Sequence, residues 1–289
     1  MKGKAMKHLI WLVVISSVLV LHAAEVPKKA IEAYRAGNYI KAKKILKRAA
    51  HKGNVKAQVN LGFMYEYGKG IKQEFDKALY WYKKAAQKGD PKAQYNIGYM
   101  YEHGRGVEQD FQKALTWYKK AAKKKDVNAY YNIATIYYKG DGVEHDYKKA
   151  ASWYEKAAKL GDAQAQFNLG YMYEQGEGVS QNFTKALEWY KKAAEKGYTA
   201  AYYNVGTIYY QGKGSLQDYE KAAYWYQKAA QKGDPKAQYN LGLMFLKGQG
   251  VKANKIMAFQ YWLESAKRSN EDAQNALDKL CKESPWACK

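Results

Sequence analysis

Residues 91–126 read PKAQYNIGYMYEHGRGVEQDFQKALTWYKKAAKKKD, and variants of this text recur every 36 residues. Six copies run from Val55 to Asn270: 55–90, 91–126, 127–162, 163–198, 199–234 and 235–270. Trp81, Trp117, Trp153, Trp189 and Trp225 keep the beat, and the sixth copy inverts the pair to Tyr261-Trp262. Asn60, Asn96, Asn132, Asn168, Asn204 and Asn240 hold register, as do glycine pairs such as Gly68/Gly70 and Gly104/Gly106. Self-similarity at this period marks a solenoid of stacked supersecondary units, none of which can bury its apolar face alone. The 289 residues are therefore read as one array rather than two ordinary domains.

Each copy carries two helices with readable ends. In the second copy Asp90 is a good N-cap and Pro91 suits the first helical position, so helix A starts there and runs to about His103. Gly104-Arg105-Gly106 stops it, because glycine takes the left-handed conformation without steric cost. Asp110 then caps helix B, which runs to about Lys124. Glu74, Asp146, Asn182, Asp218 and Asn254 hold the same slot, and all but Glu74 are good caps. Tyr198 breaks the pattern at the first cap.

Helical periodicity divides the faces. Ala57, Leu61 and Tyr65 share the inner side of helix A, with Gly62 permitting close approach. Phe75, Ala78, Trp81, Tyr82, Ala85 and Ala86 share that of helix B. Truncating a central tryptophan to alanine is expected to cost about 3–5 kcal/mol. Residues 25–54 read as a capping helix pair: Ala30–Ala36, a turn at Gly37-Asn38, and Tyr39–Lys52, with Ile45 and Leu46 one period before Trp81 and Tyr82.

The opposite face of helix A carries the candidate binding residues. They are Tyr95, Tyr99, Tyr131, Tyr138, Phe167, Tyr171, Tyr203, Tyr210 and Tyr239, bordered by Asn96, Asn132, Asn168 and Asn204. Tyrosine supplies apolar area with a polar tip at little rotamer cost, and asparagine can bond both groups of an extended backbone. The same asparagines could instead tie neighbouring units together. A finer alternation runs beneath this: the third and fifth copies read AYYN and TIYY, while the second and fourth carry Glu102 and Glu174. This is consistent with duplication of a 72-residue pair.

The outer stripe of helix B is lysine-rich, as in Lys77, Lys83, Lys84 and the run Lys123-Lys124-Lys125. The formal charge of +22 favours anionic partners such as envelope or cell-wall material, although a lysine face also simply keeps a protein in solution. No motif that reads nucleic-acid grooves occurs, so nucleic acid is not expected.

Lys2, Lys4 and Lys7, the apolar run Leu9–Leu21 and His22-Ala23-Ala24 read as an export signal over residues 1–24. That run is too short for a membrane span, which needs about 20 residues. A cleaved signal leaves a periplasmic or secreted chain without a membrane span. An uncleaved signal would be an anchor. Cys281 and Cys288 flank Pro285 near the end, placed for a bridge across a turn or else left as two thiols on a loose tail. Residues 271–289 are read as the C-terminal cap.

Catalytic motifs are absent. No serine of the mature chain is followed by lysine at the third place, and no S-D-N or K-T-G occurs. His51, His103 and His145 sit at unlike positions in separate units, and there is no H-E-x-x-H, so neither a metal nor another cofactor is expected.

The pattern A-x-x-N-[LIV]-G-x-[MI]-Y-x-x-G-x-G-V followed by K-A-x-x-W-Y-x-K-A-A resembles the Sel1-like repeat, a relative of the tetratricopeptide repeat, over roughly 55–270. The resemblance implies an all-α, right-handed superhelical solenoid of helix-turn-helix repeats, with helices A lining a tyrosine-rich groove that holds a protein or peptide ligand. Export signal and cysteines resemble a bacterial secreted, cysteine-rich branch described as β-lactam-binding proteins or slow β-lactamases. That branch carries a cysteine pair in each repeat, whereas this chain has one pair in all.

Overall fold

The computed structural model describes residues 26–288. The expected signal segment 1–24 lies outside the described residues, as does the side chain of Cys288, so export and the Cys281–Cys288 bridge stay expectations. Fifteen helices and no strand occur among the described residues. They are α1 (Lys28–Arg35), α2 (Tyr39–His51), α3 (Val55–Tyr67), α4 (Phe75–Gln87), α5 (Pro91–His103), α6 (Phe111–Ala122), α7 (Val127–Lys139) and α8 (Tyr147–Lys159). Then follow α9 (Ala163–Gln175), α10 (Phe183–Glu195), α11 (Thr199–Gln211), α12 (Tyr219–Gln231), α13 (Pro235–Lys247), α14 (Lys255–Ala266) and α15 (Glu271–Glu283). A short 3-10 turn, Pro285–Cys288, packs on α14 and α15.

The chain forms two compact units, one ending at Ala129 and one beginning at Tyr130. Inside each, consecutive helices pack pairwise, α1 on α2 through α5 on α6 in the first and α8 on α9 through α14 on α15 in the second. The ends follow the capping chemistry. The Asp90 carboxylate accepts from the Ala93 N–H at 2.9 Å and Asp110 from the Lys113 N–H at 2.8 Å. Asp162, Asn182, Asp218, Asp234 and Asn254 do the same for their helices. Glu74, one methylene too long, makes no cap bond and pairs with Lys77 instead.

Burial corrects the order of importance within the tryptophan–tyrosine pair. Tyr82, Tyr118, Tyr154, Tyr190 and Tyr226 are at most 2 % exposed, whereas Trp117, Trp153, Trp189 and Trp225 are half-buried. Except in the third repeat, which has Ala134 at this position, the tyrosine ring lies over a glycine of helix A in its own repeat: a Cβ added at Gly170 would stand 2.8 Å from the Tyr190 ring, and one at Gly206 would stand 2.7 Å from that of Tyr226. The tryptophan sits one residue round the helix, at the rim. In the inverted sixth copy Trp262 takes the inner slot, 2 % exposed, and its Nε1–H donates to the Tyr239 carbonyl at 3.0 Å.

Two further devices join neighbouring repeats. Gln58 donates from Nε2 to the Ala50 carbonyl at 3.0 Å, and Gln166 to Ala158 at 3.0 Å, so a buried side chain satisfies a helix-B carbonyl of the preceding repeat. The second loop glycine presses on the helix-B start of that preceding repeat. A Cβ at Gly178 would come within 2.2 Å of the Tyr147 carbonyl.

The turn after helix B ends on a left-handed residue. It is glycine in most copies, but Lys125 (φ 59°) and Ser269 (φ 62°) occupy the same slot. A side chain there costs about 1 kcal/mol relative to glycine. Lys125→Gly is therefore expected to stabilise the chain by about that amount, read as a higher urea midpoint with unchanged slope.

Candidate functional site

The aromatic residues of the helix-A faces have one side on the core and one side outward. In the first unit Tyr95 lies 5.4 Å, centroid to centroid, from the buried Tyr118 and 6.4 Å from Tyr99, which stacks on His103 at 4.0 Å. In the second, Tyr131 lies 5.6 Å from Tyr154, Phe167 5.4 Å from Tyr190, Tyr203 5.7 Å from Tyr226 and Tyr239 6.4 Å from Trp262. The fifth residue of every helix A in this series thus rests on the inner ring of its own helix B. All are half-buried, and Tyr171 is 37 % exposed.

The asparagines bridge repeats. Asn168 hydrogen-bonds the Tyr154 hydroxyl, Asn204 that of Tyr190 and Asn240 that of Tyr226. Each such tyrosine belongs to helix B of the preceding repeat. Burial is the chief reason their phenols titrate high, Tyr226 pushed up to about 12. Asn96 and Asn132 are half-buried at the same position.

The Glu/Tyr alternation has a geometric content. Where helix A carries glutamate, the inner tyrosine donates to it: Tyr82 to Glu66 at 2.8 Å, Tyr118 to Glu102 at 2.5 Å, Tyr190 to Glu174 at 2.6 Å. Where it carries tyrosine, threonine takes over, with Thr135 Oγ1 3.0 Å from the Tyr154 hydroxyl and Thr207 Oγ1 3.1 Å from that of Tyr226. The freed helix-A tyrosine then reaches the loop of the next repeat. Tyr138 donates to Glu177 at 2.8 Å and Tyr210 to Gln249 at 3.1 Å. The loop residue between the two glycines was not among the candidate binding residues read from the sequence, nor was Tyr147, and Tyr198 stood out there only as a missing cap. Tyr147 lies 5.3 Å from Tyr138, and Tyr198 lies 5.1 Å from Phe167. A fixed 72-residue spacing, as in Arg105, Glu177 and Gln249, is the signal that could have found the first of these.

In the first unit Arg105 fills this position. Its guanidinium lies 4.6 Å from the Tyr67 centroid, 5.5 Å from Phe75 and 5.9 Å from Tyr99. Its Nη1 is 3.1 Å from Glu66 Oε1, which makes no hydrogen bond, so charge rather than a directed bond holds the pair. Burial raises the Glu66 carboxyl above its ordinary range, and the Tyr82 hydroxyl and Arg105 pull the other way.

The lysine stripe is partly engaged by the protein itself. Lys120 stands 3.9 Å from the Trp117 centroid, Lys156 3.9 Å from Trp153 and Lys192 4.2 Å from Trp189. Lys113, Lys149 and Lys221 pair with the carboxylates that cap their own helices. Among the described residues no three metal-binding side chains converge, and no helix is long and apolar enough to cross a membrane.

A family model of the Sel1 repeat matches residues 33–54, 55–90, 91–126, 127–162, 163–198, 199–234 and 235–270. The structure is similar to that of a protective antigen present in uropathogenic Escherichia coli strains displaying an SLR fold. The TM-score is 0.80 at 34 % identity, over 83 % of this chain and 52 % of that one, so this chain spans about half the antigen's length. It is also similar to a Sel1 repeat protein from Oxalobacter formigenes, with TM-score 0.70 and 35 % identity over 83 % of this chain and 99 % of that one. No curated protein matches at a significant level. The likenesses establish an all-helical solenoid of helix pairs and give no support to the β-lactam branch.

Proposed function

Because the chain belongs to the Sel1 repeat family, we propose that it is an exported interaction scaffold whose tyrosine-bearing helix-A faces hold an extended segment of a partner protein. Tetratricopeptide-like helix pairs leave one helix face of each repeat unpartnered, and a partner segment can cover it. The observation that carries this reading is the distribution of charge. In a chain of net charge +22, α11 holds no charged residue and α9 holds one, Glu174, which is engaged by Tyr190. Charge is depleted and tyrosine concentrated where helix A turns outward, the composition of a recognition surface core. Each half-buried ring is fixed from behind by the inner tyrosine, so little rotamer freedom is lost on binding.

Export rests on the leader read from residues 1–24, and it would suit a bridge at the C-terminal cap. Edman sequencing of the protein recovered from a bacterial periplasm checks the leader, with a new N-terminus at or near Glu25 expected.

The binding reading is tested with a displayed peptide library. Peptides selected on the wild type are expected to bind the Tyr131→Leu, Tyr203→Leu double variant at least about tenfold more weakly, a loss of about 1.4 kcal/mol. Leucine keeps apolar contact with Tyr154 and Tyr226, so helicity and melting temperature serve as the control. Equal affinity in a folded variant would overturn the reading.

A further inference from the structure

The loop residue between the two glycines reaches back to the preceding repeat, and four junctions can be compared. At one, Arg105 lies on Tyr67, Phe75 and Tyr99 and pairs with Glu66. At another, Lys213 stands 5.5 Å from the Phe183 centroid. At a third, the neutral Gln249 accepts from Tyr210, and Leu243 replaces the tyrosine found at 99 and 171. The fourth inverts the charge. Glu177 takes the place of Arg105, Tyr138 that of Glu66, Tyr147 that of Phe75, Tyr171 that of Tyr99 and Lys139 that of Tyr67.

At this fourth junction the rings are open. Tyr147 is 40 % and Tyr171 37 % exposed, and the Tyr138 ring meets Tyr147 edge-on at 5.3 Å. The Tyr138 hydroxyl donates to Glu177 Oε2, and Glu174 adds a second carboxylate close enough to act on Tyr171. Other groups face the site. The His145 ring is 6.1 Å from Tyr147 and its Nδ1 is 3.1 Å from the Tyr138 carbonyl. Lys139 is paired with Asp141 at 4.0 Å. Lys148 lines an open cavity of about 470 Å³ with Gly176, Gly178, Val179 and Ser180. Among the described residues, none of this protein's lysines or arginines pairs with Glu177 or stands over the three rings. This contrasts with Tyr67 and Trp117, which are covered by the protein's own cations.

We propose that Tyr138, Tyr147, Tyr171 and Glu177 form a receptor site for an arginine side chain of a partner protein. The first unit shows that these repeat positions accommodate a guanidinium on aromatic rings beside a carboxylate, and there the protein supplies it. At the fourth junction two of the three ring positions remain, Glu177 supplies the carboxylate from the place of Arg105, and Lys139, in the place of Tyr67, pairs with Asp141 rather than covering the rings. A planar guanidinium stacks on tyrosine faces and hydrogen-bonds a carboxylate in one pose, which an ammonium does less well. The proposal rests on the interaction-scaffold reading and names the feature of the partner that this part of the surface reads.

The probe is N-acetyl-arginine amide titrated into the full chain, with the neutral N-acetyl-citrulline amide as its isostere, followed by saturation-transfer NMR. The arginine compound is expected to bind weakly and the citrulline compound at least about tenfold more weakly. Glu177→Arg places in this loop the residue that closes the first junction, and it should abolish the signal. Tyr171→Leu, the residue of the third junction, should reduce it several-fold and serves if Glu177→Arg lowers the melting temperature. Equal binding of the two compounds, or undiminished binding by both variants, overturns the site. Library peptides that bind wild type and Glu177→Arg alike would remove the arginine site and leave the scaffold reading standing. Arginine binding without any selected peptide would do the reverse.

Discussion

Tyr190→Ala is expected to destabilise the chain by about 3–5 kcal/mol, the range for deleting a buried aromatic side chain. The ring is fully buried between Phe167 and the second unit's core, and its atoms are the nearest to the space left by the missing Cβ of Gly170. The hydroxyl adds less. Its partners Glu174 and Asn204 are both only half-buried, so water replaces the lost hydroxyl, and Tyr190→Phe should cost about 1 kcal/mol. Trp189→Ala should cost about half as much as Tyr190→Ala, because that indole is half-buried and partly covered by Lys192. Urea unfolding of the full chain ranks the variants, and hydrogen exchange should show the loss concentrated in α9 and α10. A larger loss from Trp189→Ala than from Tyr190→Ala would refute the burial order on which this account of the repeat is built.

Arg105→Ala is the second large effect, about 3 kcal/mol at neutral pH. It leaves the Glu66 carboxylate, 2 % exposed, without its counter-charge. The value sits at the low end because the guanidinium is 21 % exposed and because Glu66 can take a proton instead. The sign of the pH dependence follows from the direction of the Glu66 shift. Its pKa is raised by burial in the folded state, so the folded chain binds more protons than the unfolded chain just above the ordinary carboxylate range. This contribution is fully present below the unfolded pKa and is lost as pH rises through the raised folded value. Arg105→Ala removes a group that lowers that value, so stability should fall with pH more steeply, and over a wider window, than in the wild type. Glu66→Gln in the same background should flatten the curve. Melting temperatures between pH 4 and pH 8 check this. A parallel curve for wild type and Arg105→Ala would show that the two charges are not coupled.

The helix boundaries were legible because each is written in one or two residues. Asp90-Pro91 and Gly104 fix the ends of α5 by capping and by left-handed backbone, and Asp110 starts α6 by the same means. The candidate tyrosines were legible as an outward stripe for the same reason, since a 3.6-residue period assigns faces without any knowledge of neighbours. What periodicity could not rank was Trp189 against Tyr190. Adjacent residues differ by 100° of rotation, and only the approach of the two helices decides which ring lies over Gly170. Nor could it say where a side chain ends. Asn168 and Asn204 look like ligand-binding amides along the stripe, and in the fold they also bond tyrosines of the preceding repeat.

The sequence by itself determined the repeat, its two helices and the segregation of lysine from tyrosine, because those follow from local caps, turns and period. Only the tertiary structure decided which residues meet across a repeat boundary. Arg105 lies on Tyr67 and Tyr99, and Glu177 meets Tyr138, 39 residues away. Such pairs depend on the angle and distance at which one hairpin settles on the last, and no residue or spacing within a single hairpin carries that information.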